Sequence, residues 1–149
     1  MGKHLVQILK EKDFEVFVSS RSDRKSHDYV TYIKGNAHDD VFFESLLSQR
    51  NWDVIVDFMI YTSAEFSNIV DKLLKSCKQY VFLSSSRVYA DSNEPITESS
   101  PRLLDVCTDE EYLKTDEYAL SKAREENILM ASHQRNWTII RPYITIAVR

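Results

Sequence analysis

The sequence predicts an α/β fold, a doubly wound parallel sheet in three layers. Three observations predict it. Apolar, β-rich runs alternate with amphipathic helical runs along the chain, the pattern of βαβ units with right-handed crossovers and helices on both faces. The 149 residues amount to one domain, enough to bury roughly two-thirds of the unfolded surface. The composition, 43% hydrophobic and 28% charged, is that of an ordinary folded protein.

Each element follows in order. Residues 3–12 place Leu5, Val6, Ile8 and Leu9 on one stripe, a helix that opens at residue 2 without a Ser, Thr or Asp cap. Residues 14–18 and 29–33 read as strands, separated by a polar loop and followed by Gly35-Asn36. Asp39 or Asp40 caps a short helix over 41–49. A third strand, over 53–58 and so including Phe58 as a buried residue, precedes a helix over 63–77. That helix carries Phe66, Ile69, Val70, Leu73 and Leu74 on its apolar stripe. The fourth strand, 80–83, runs directly into Ser84-Ser85-Ser86. Residues 91–114, with Pro95 and Pro101, form a long loop of the kind that carries function. A helix over 115–133 follows, capped by Thr115 or Asp116, and then a fifth strand over 137–140, stopped by Arg141-Pro142. Residues 143–149 are apolar and end the sequence.

Several function classes are excluded. The net charge is −4 and the basic residues are scattered, so nucleic-acid binding has no electrostatic footprint. No apolar run approaches the roughly 18 residues that cross a membrane. The first residues lack a signal-peptide core, and Val6 stands where a myristoylation motif takes Ser or Thr. Cys77 and Cys107 form no Cys-x-x-Cys pair and read as reduced thiols of a cytoplasmic protein. The four histidines show no metal-ligand spacing, so no metal is expected. With only two glycines, Gly2 and Gly35, the sequence contains neither a P-loop nor a complete Gly-x-Gly-x-x-Gly turn.

In a parallel sheet, ligands sit beyond the carboxyl ends of the strands. That rule selects residues 19–21, 35–37, 57–59, 84–86 and 141–143. Tyr118 and Lys122 lie four residues apart, on one helix face near the same ends. An ammonium beside a phenol favours the phenolate, which makes Tyr118 a candidate general acid/base. The same spacing also fits a surface pair on an amphipathic helix. Ser85, facing the cleft that Tyr118 and Lys122 reach, favours the catalytic reading.

Three segments carry a family resemblance: Val81-Phe82-Leu83-Ser84-Ser85-Ser86-Arg87-Val88-Tyr89, Tyr118-Ala119-Leu120-Ser121-Lys122, and Thr138-Ile139-Ile140-Arg141-Pro142. In order and separation they resemble the NAD-dependent epimerase/dehydratase group of extended short-chain dehydrogenases/reductases, which act on nucleotide sugars. The resemblance implies a Rossmann-like fold, making the chain a single partial dinucleotide-binding domain over 1–149. It implies Ser85 as the catalytic serine, three residues before Val88, with Ser84 and Ser86 more readily strand-end hydroxyls. It implies that Tyr118 takes a proton from a sugar hydroxyl while the nicotinamide accepts hydride, that Ser85 hydrogen-bonds the reacting oxygen, and that Lys122 holds the nicotinamide ribose. Further cofactor contacts are implied at Gly2, the third glycine of the family's turn, at Asn36-Ala37, where the family has Gly-Asp before the adenine, and at Asp57, Phe58, Met59 and Ser84. Where NAD-binding members place an acidic residue after the second strand, this chain has Ser19-Ser20-Arg21. Arg21 suits a 2′-phosphate as well as a solvated loop, so NAD and NADP stay open.

The family's first strand, its first two glycines and its substrate-binding portion have no counterpart in the sequence. The expectation is therefore a chain truncated at both ends, with edges exposed beside the missing central strand and little turnover alone. The alternative is a non-catalytic remnant, or an NAD(P)-sensing protein that associates with another chain. Its partner, once completed, is a nucleotide-sugar-like small molecule; family members often pair through helices, but the helix faces here are not diagnostic, so a homo-oligomer stays open.

Overall fold

The computed structural model describes residues 1–143. The fold class is the expected one, mixed α/β with parallel strand pairing throughout the named strands. Two compact units, Met1–Arg50 and Asn51–Arg149, are each taken by themselves.

In the first unit, helix α1 (Gly2–Glu11) starts at Met1 with no side-chain cap, as its sequence implies. Asp13 then adopts a positive φ of 59°, and the Phe14 amide folds back onto the Leu9 carbonyl at 3.1 Å. That turn delays strand β1 to Val16–Ser20 and leaves Phe14 exposed, two residues later than the expected strand start. Strand β2 (Val30–Lys34) pairs with it in parallel, from Val16 opposite Val30 to Ser20 opposite Lys34. Helix α2 (Asp40–Ser48) is capped by Asp39, whose carboxylate accepts from the Phe42 amide at 2.8 Å. It buries Phe43 and Leu47, one turn apart. A side chain at Gly35 would meet the Phe42 ring at 2.1 Å, so only glycine fits there.

In the second unit, strands β3 (Trp52–Asp57), β4 (Cys77–Leu83) and β5 (Trp137–Ile140) form one parallel sheet with β4 in the middle. Helix α3 (Ser63–Lys75) opens on a complete capping box between Thr62 and Glu65. It buries Phe66, Val70, Leu73 and Leu74 against β4 and against helix α6 (Tyr118–Ala131). The strand registers put Ile55, Asp57, Tyr80, Phe82, Trp137 and Ile139 on one face. Phe66 and Phe82 meet on that face with ring centroids 5.1 Å apart. The Asn136 amide secures the entry to β5 by donating to the carbonyls of Leu74 and Cys77, at 2.9 and 2.8 Å.

The long connection before α6 is not bare loop. It holds single-turn helices α4 (Leu103–Val106) and α5 (Glu110–Leu113), too short to leave a periodic signal in the sequence. Among the described residues no helix is long and apolar enough to cross a membrane.

Candidate active site

At the carboxyl end of β4 the chain turns sharply, because Ser85 leaves the strand and caps the short 3-10 turn Ser86–Val88. Its hydroxyl accepts from the Arg87 amide at 3.2 Å. This turn packs against α6, so Ser85 and Tyr118, the first residue of α6, lie in one neighbourhood. Arg87 bridges them: its guanidinium sits 5.5 Å from the centre of the Tyr118 ring and donates to Glu117 at 2.8 Å. Glu117 caps α6 through the Ala119 amide at 2.8 Å and also accepts from the Tyr112 hydroxyl at 3.0 Å. Burial pushes the Glu117 carboxyl up, but the Ala119 amide, the Tyr112 hydroxyl and Arg87 outweigh it and hold the pKa below the usual value.

Lys122 faces inward. Only 2% of its side chain is exposed, its ammonium lies 2.8 Å from Glu125, and it sits over the Phe82 ring at 4.5 Å. Arg87 thus places a guanidinium beside the Tyr118 ring, and the hydrogen-bonded counter-charge of Lys122 is Glu125. The other Glu125 oxygen accepts from Ser121 at 3.1 Å. Burial raises the Glu125 pKa, and the hydrogen bonds from Lys122 and Ser121 offset that only in part.

Ser84 also faces inward, donating to Glu126 at 2.6 Å. Glu126 is fully buried and accepts two further bonds from Arg141, at 2.7 and 2.8 Å, and one from Arg102 at 3.2 Å. Burial alone would raise its pKa, but Arg141, Ser84 and Arg102 together lower it. One carboxylate therefore ties the end of β4, helix α6, the Arg141-Pro142 turn and the start of α4 together. Arg141 completes the tie by donating to the Tyr89 hydroxyl at 2.7 Å.

Asp57, at the end of β3, has its carboxylate taken up locally. It accepts from the Met59 amide at 2.8 Å and from the hydroxyls of Tyr61 and Tyr80 at 3.1 and 2.8 Å. Burial, followed by the charge of Asp57, pushes both tyrosines well above their ordinary pKa. The bond to Met59 also ends the strand. Phe58 consequently lies beyond β3 and is 42% exposed, a correction to its expected place as a buried strand residue, and Met59 is half-buried. The remaining candidates belong to the first unit. Gly2 opens α1, Arg21 is exposed in the bend after β1, Asn36 is exposed and accepts from the His38 amide at 3.2 Å, and Ala37 is half-buried.

The second unit thus brings together Ser84, Ser85, Tyr118 and Lys122 around the end of β4, with Asp57 on the neighbouring strand. Sequence reasoning did not single out Arg87, Glu117, Glu125 or Glu126. The signal available for the last two was their position three and four residues after Lys122, on the helix face that carries it.

A model of the NAD dependent epimerase/dehydratase family matches residues 1–147. No curated protein matches the chain. Among solved structures it is similar to the Bordetella bronchiseptica enzyme WbmH in complex with NAD+, at 19% identity and a TM-score of 0.70, over 94% of this chain and 51% of that one. It is also similar to MoeE5, solved with UDP-glucuronic acid and NAD and with UDP-glucose and NAD. Both comparisons give 16% identity and cover 93% of this chain and 48% of that one, with TM-scores of 0.66 and 0.65. The chain therefore spans about half the length of the solved structures it matches.

Proposed function

The chain belongs to the NAD dependent epimerase/dehydratase family, and from that premise we propose that it carries the proton-transfer corner of a nucleotide-sugar epimerase or dehydratase. On this reading the 149 residues form part of one dinucleotide-binding domain. The observation that carries it is the placement of Ser85 at the end of β4, on a turn packed against the helix that begins with Tyr118.

The donor set suits the nicotinamide end of a dinucleotide: the Ser85 hydroxyl, the Tyr118 phenol and the Lys122 ammonium, with exposed Phe58 close in sequence to Asp57. NAD or NADP supplies hydride transfer when bound. Tyr118 exchanges a proton with a sugar hydroxyl, Ser85 hydrogen-bonds the same oxygen, and Lys122 holds the ribose hydroxyls. By the family resemblance Gly2, Asn36 and Ala37 are candidates for further dinucleotide contacts, and Arg21 suits a 2′-phosphate as well as a solvated loop, so both NAD and NADP fit the reading. The nucleotide sugars bound by MoeE5 suggest the substrate class.

A second reading, a non-catalytic or NAD(P)-sensing chain, draws support from one feature. The Lys122 ammonium is buried in an ion pair rather than presented to a ligand. Titration of the purified chain with NAD+ and NADP+, paired with a nucleotide-sugar screen, separates the two. The proposal expects saturable binding and negligible turnover by these residues alone, because no complete glycine turn lies among them to hold a pyrophosphate. Measurable conversion would refute the expected inactivity; absence of binding to either dinucleotide would refute the site itself.

A further inference from the structure

We propose that Glu125 is a positioning residue that holds the Lys122 ammonium inside the second unit, and that a dinucleotide gains Lys122 only by displacing it from this ion pair. The inference rests on the dinucleotide reading above and names the group that opposes it.

The geometry of the pair carries the proposal. Both side chains are withdrawn from water, at 2% and 0% exposure, and their charged atoms meet at 2.8 Å. Glu125 is not free to follow its partner outward. Its second oxygen is held by Ser121 at 3.1 Å, and the same Ser121 hydroxyl lies 3.3 Å from the Tyr61 carbonyl. Beneath the ammonium lies the face of Phe82, a surface that attracts a cation but offers it no hydrogen bond. Two neighbouring carboxylates are already engaged: Asp57 accepts from the Met59 amide and from Tyr61 and Tyr80, and Glu126 from Ser84, Arg141 and Arg102. When Lys122 turns toward a ribose, Glu125 is left as a buried carboxylate without its counter-charge. The chain therefore opposes that turn by the cost of separating a buried pair. A binding-competent state populated to about a tenth weakens apparent affinity about tenfold.

The test uses the full chain labelled with 15N-lysine, with NAD+ as the probe. A pair withdrawn from water should give Lys122 a slowly exchanging ammonium resonance, identified by its loss in Lys122→Met. In Glu125→Gln that resonance should lose its protection, and NAD+ should bind about tenfold more tightly than to the wild type. In the wild type the resonance should move as NAD+ is added. If Glu125→Gln does not fold, Glu125→Asp keeps the charge but draws it back by about one bond, and it should show a smaller gain in the same direction. Equal or weaker NAD+ binding in the folded Glu125 variants overturns the proposal, as does an ammonium equally protected with and without Glu125. If Lys122→Met abolishes binding and the Glu125 variants leave it unchanged, the Glu125 inference alone fails. If NAD+ binds no variant, or binds Lys122→Met as well as wild type, the dinucleotide reading fails and takes this inference with it.

Discussion

Both oxygens of Glu126 are saturated by donors from three segments distant in sequence, which makes this carboxylate the principal polar tie of the second unit. Glu126→Gln should lower stability by about 3 kcal/mol, because it leaves Arg141 partly buried without its counter-charge, whereas Arg102 keeps Asp105. The sign of its pH dependence follows from its lowered pKa. Its contribution is complete above the unfolded carboxyl value of about 4.3 and is lost as pH falls through the lower folded value. Glu125 acts oppositely. Its raised pKa makes its contribution decline as pH rises from about 4.3 toward the folded value. Urea midpoints measured from about pH 3 to 7 should therefore show a shallower rise in Glu126→Gln and a steeper one in Glu125→Gln. In a longer counterpart with the same residues, Tyr118→Phe should lower kcat by about 10²–10⁴-fold. Near-normal turnover would remove Tyr118 from its role. The spacing of Ser85, Tyr118 and Lys122 made them legible in the sequence. The inward direction of Lys122 was not, because a helical Glu-Glu dipeptide reads as a solvated face until Ser121 is known to meet Glu125, and Ser84 and Arg141 to meet Glu126.

The start of α6 differs from the sequence reading because other groups took the side chains that local rules had assigned to its cap. Thr115 and Asp116 both have the chemistry of an α6 cap. In the structure the Thr115 hydroxyl donates to the Tyr112 carbonyl, and Asp116 accepts from Ser63 at 2.9 Å. Glu117 caps the helix instead, and α6 begins at Tyr118 rather than at residue 115. The start of β1 moved for a different reason, the positive φ of Asp13, which no hydrophobic pattern encodes. Where local and tertiary demands agree, element starts were legible: helix α3 starts at Ser63 behind its Thr62–Glu65 box, and β5 spans the expected residues. The end of α3 was not, because Cys77 pairs with Trp52 and opens β4, so the helix stops at Lys75 rather than 77 and the strand begins at Cys77 rather than 80. Thr62→Ala should therefore cost about 1 kcal/mol, read as a lowered urea midpoint with little change in slope. An unchanged midpoint would mean that packing of Phe66 and Leu73, rather than the cap, fixes the helix start.

For the molecule as a whole, alternation of strand and helix was enough to give the class, since each βαβ unit restricts how the next strand can pair. Pairing across a sheet was less legible than class. The described strands pair as β1 with β2, and as β4 with β3 on one side and β5 on the other, an order that no local pattern encodes. The sequence-predicted residues fall into two groups, each taken by itself. Ser84, Ser85, Asp57, Tyr118 and Lys122 belong to the second unit, and Gly2, Arg21, Asn36 and Ala37 to the first. The central claim is that the end of β4 and the start of α6 receive the nicotinamide end of NAD or NADP. The most direct test is a titration of tyrosine-labelled chain with NAD+, following the ring resonances of Tyr118, identified by their loss in Tyr118→Phe. The claim predicts that the Tyr118 resonances shift saturably and that the shift disappears in Lys122→Met. Tyr118 resonances that do not move at millimolar NAD+, or that move equally in Lys122→Met, would contradict it.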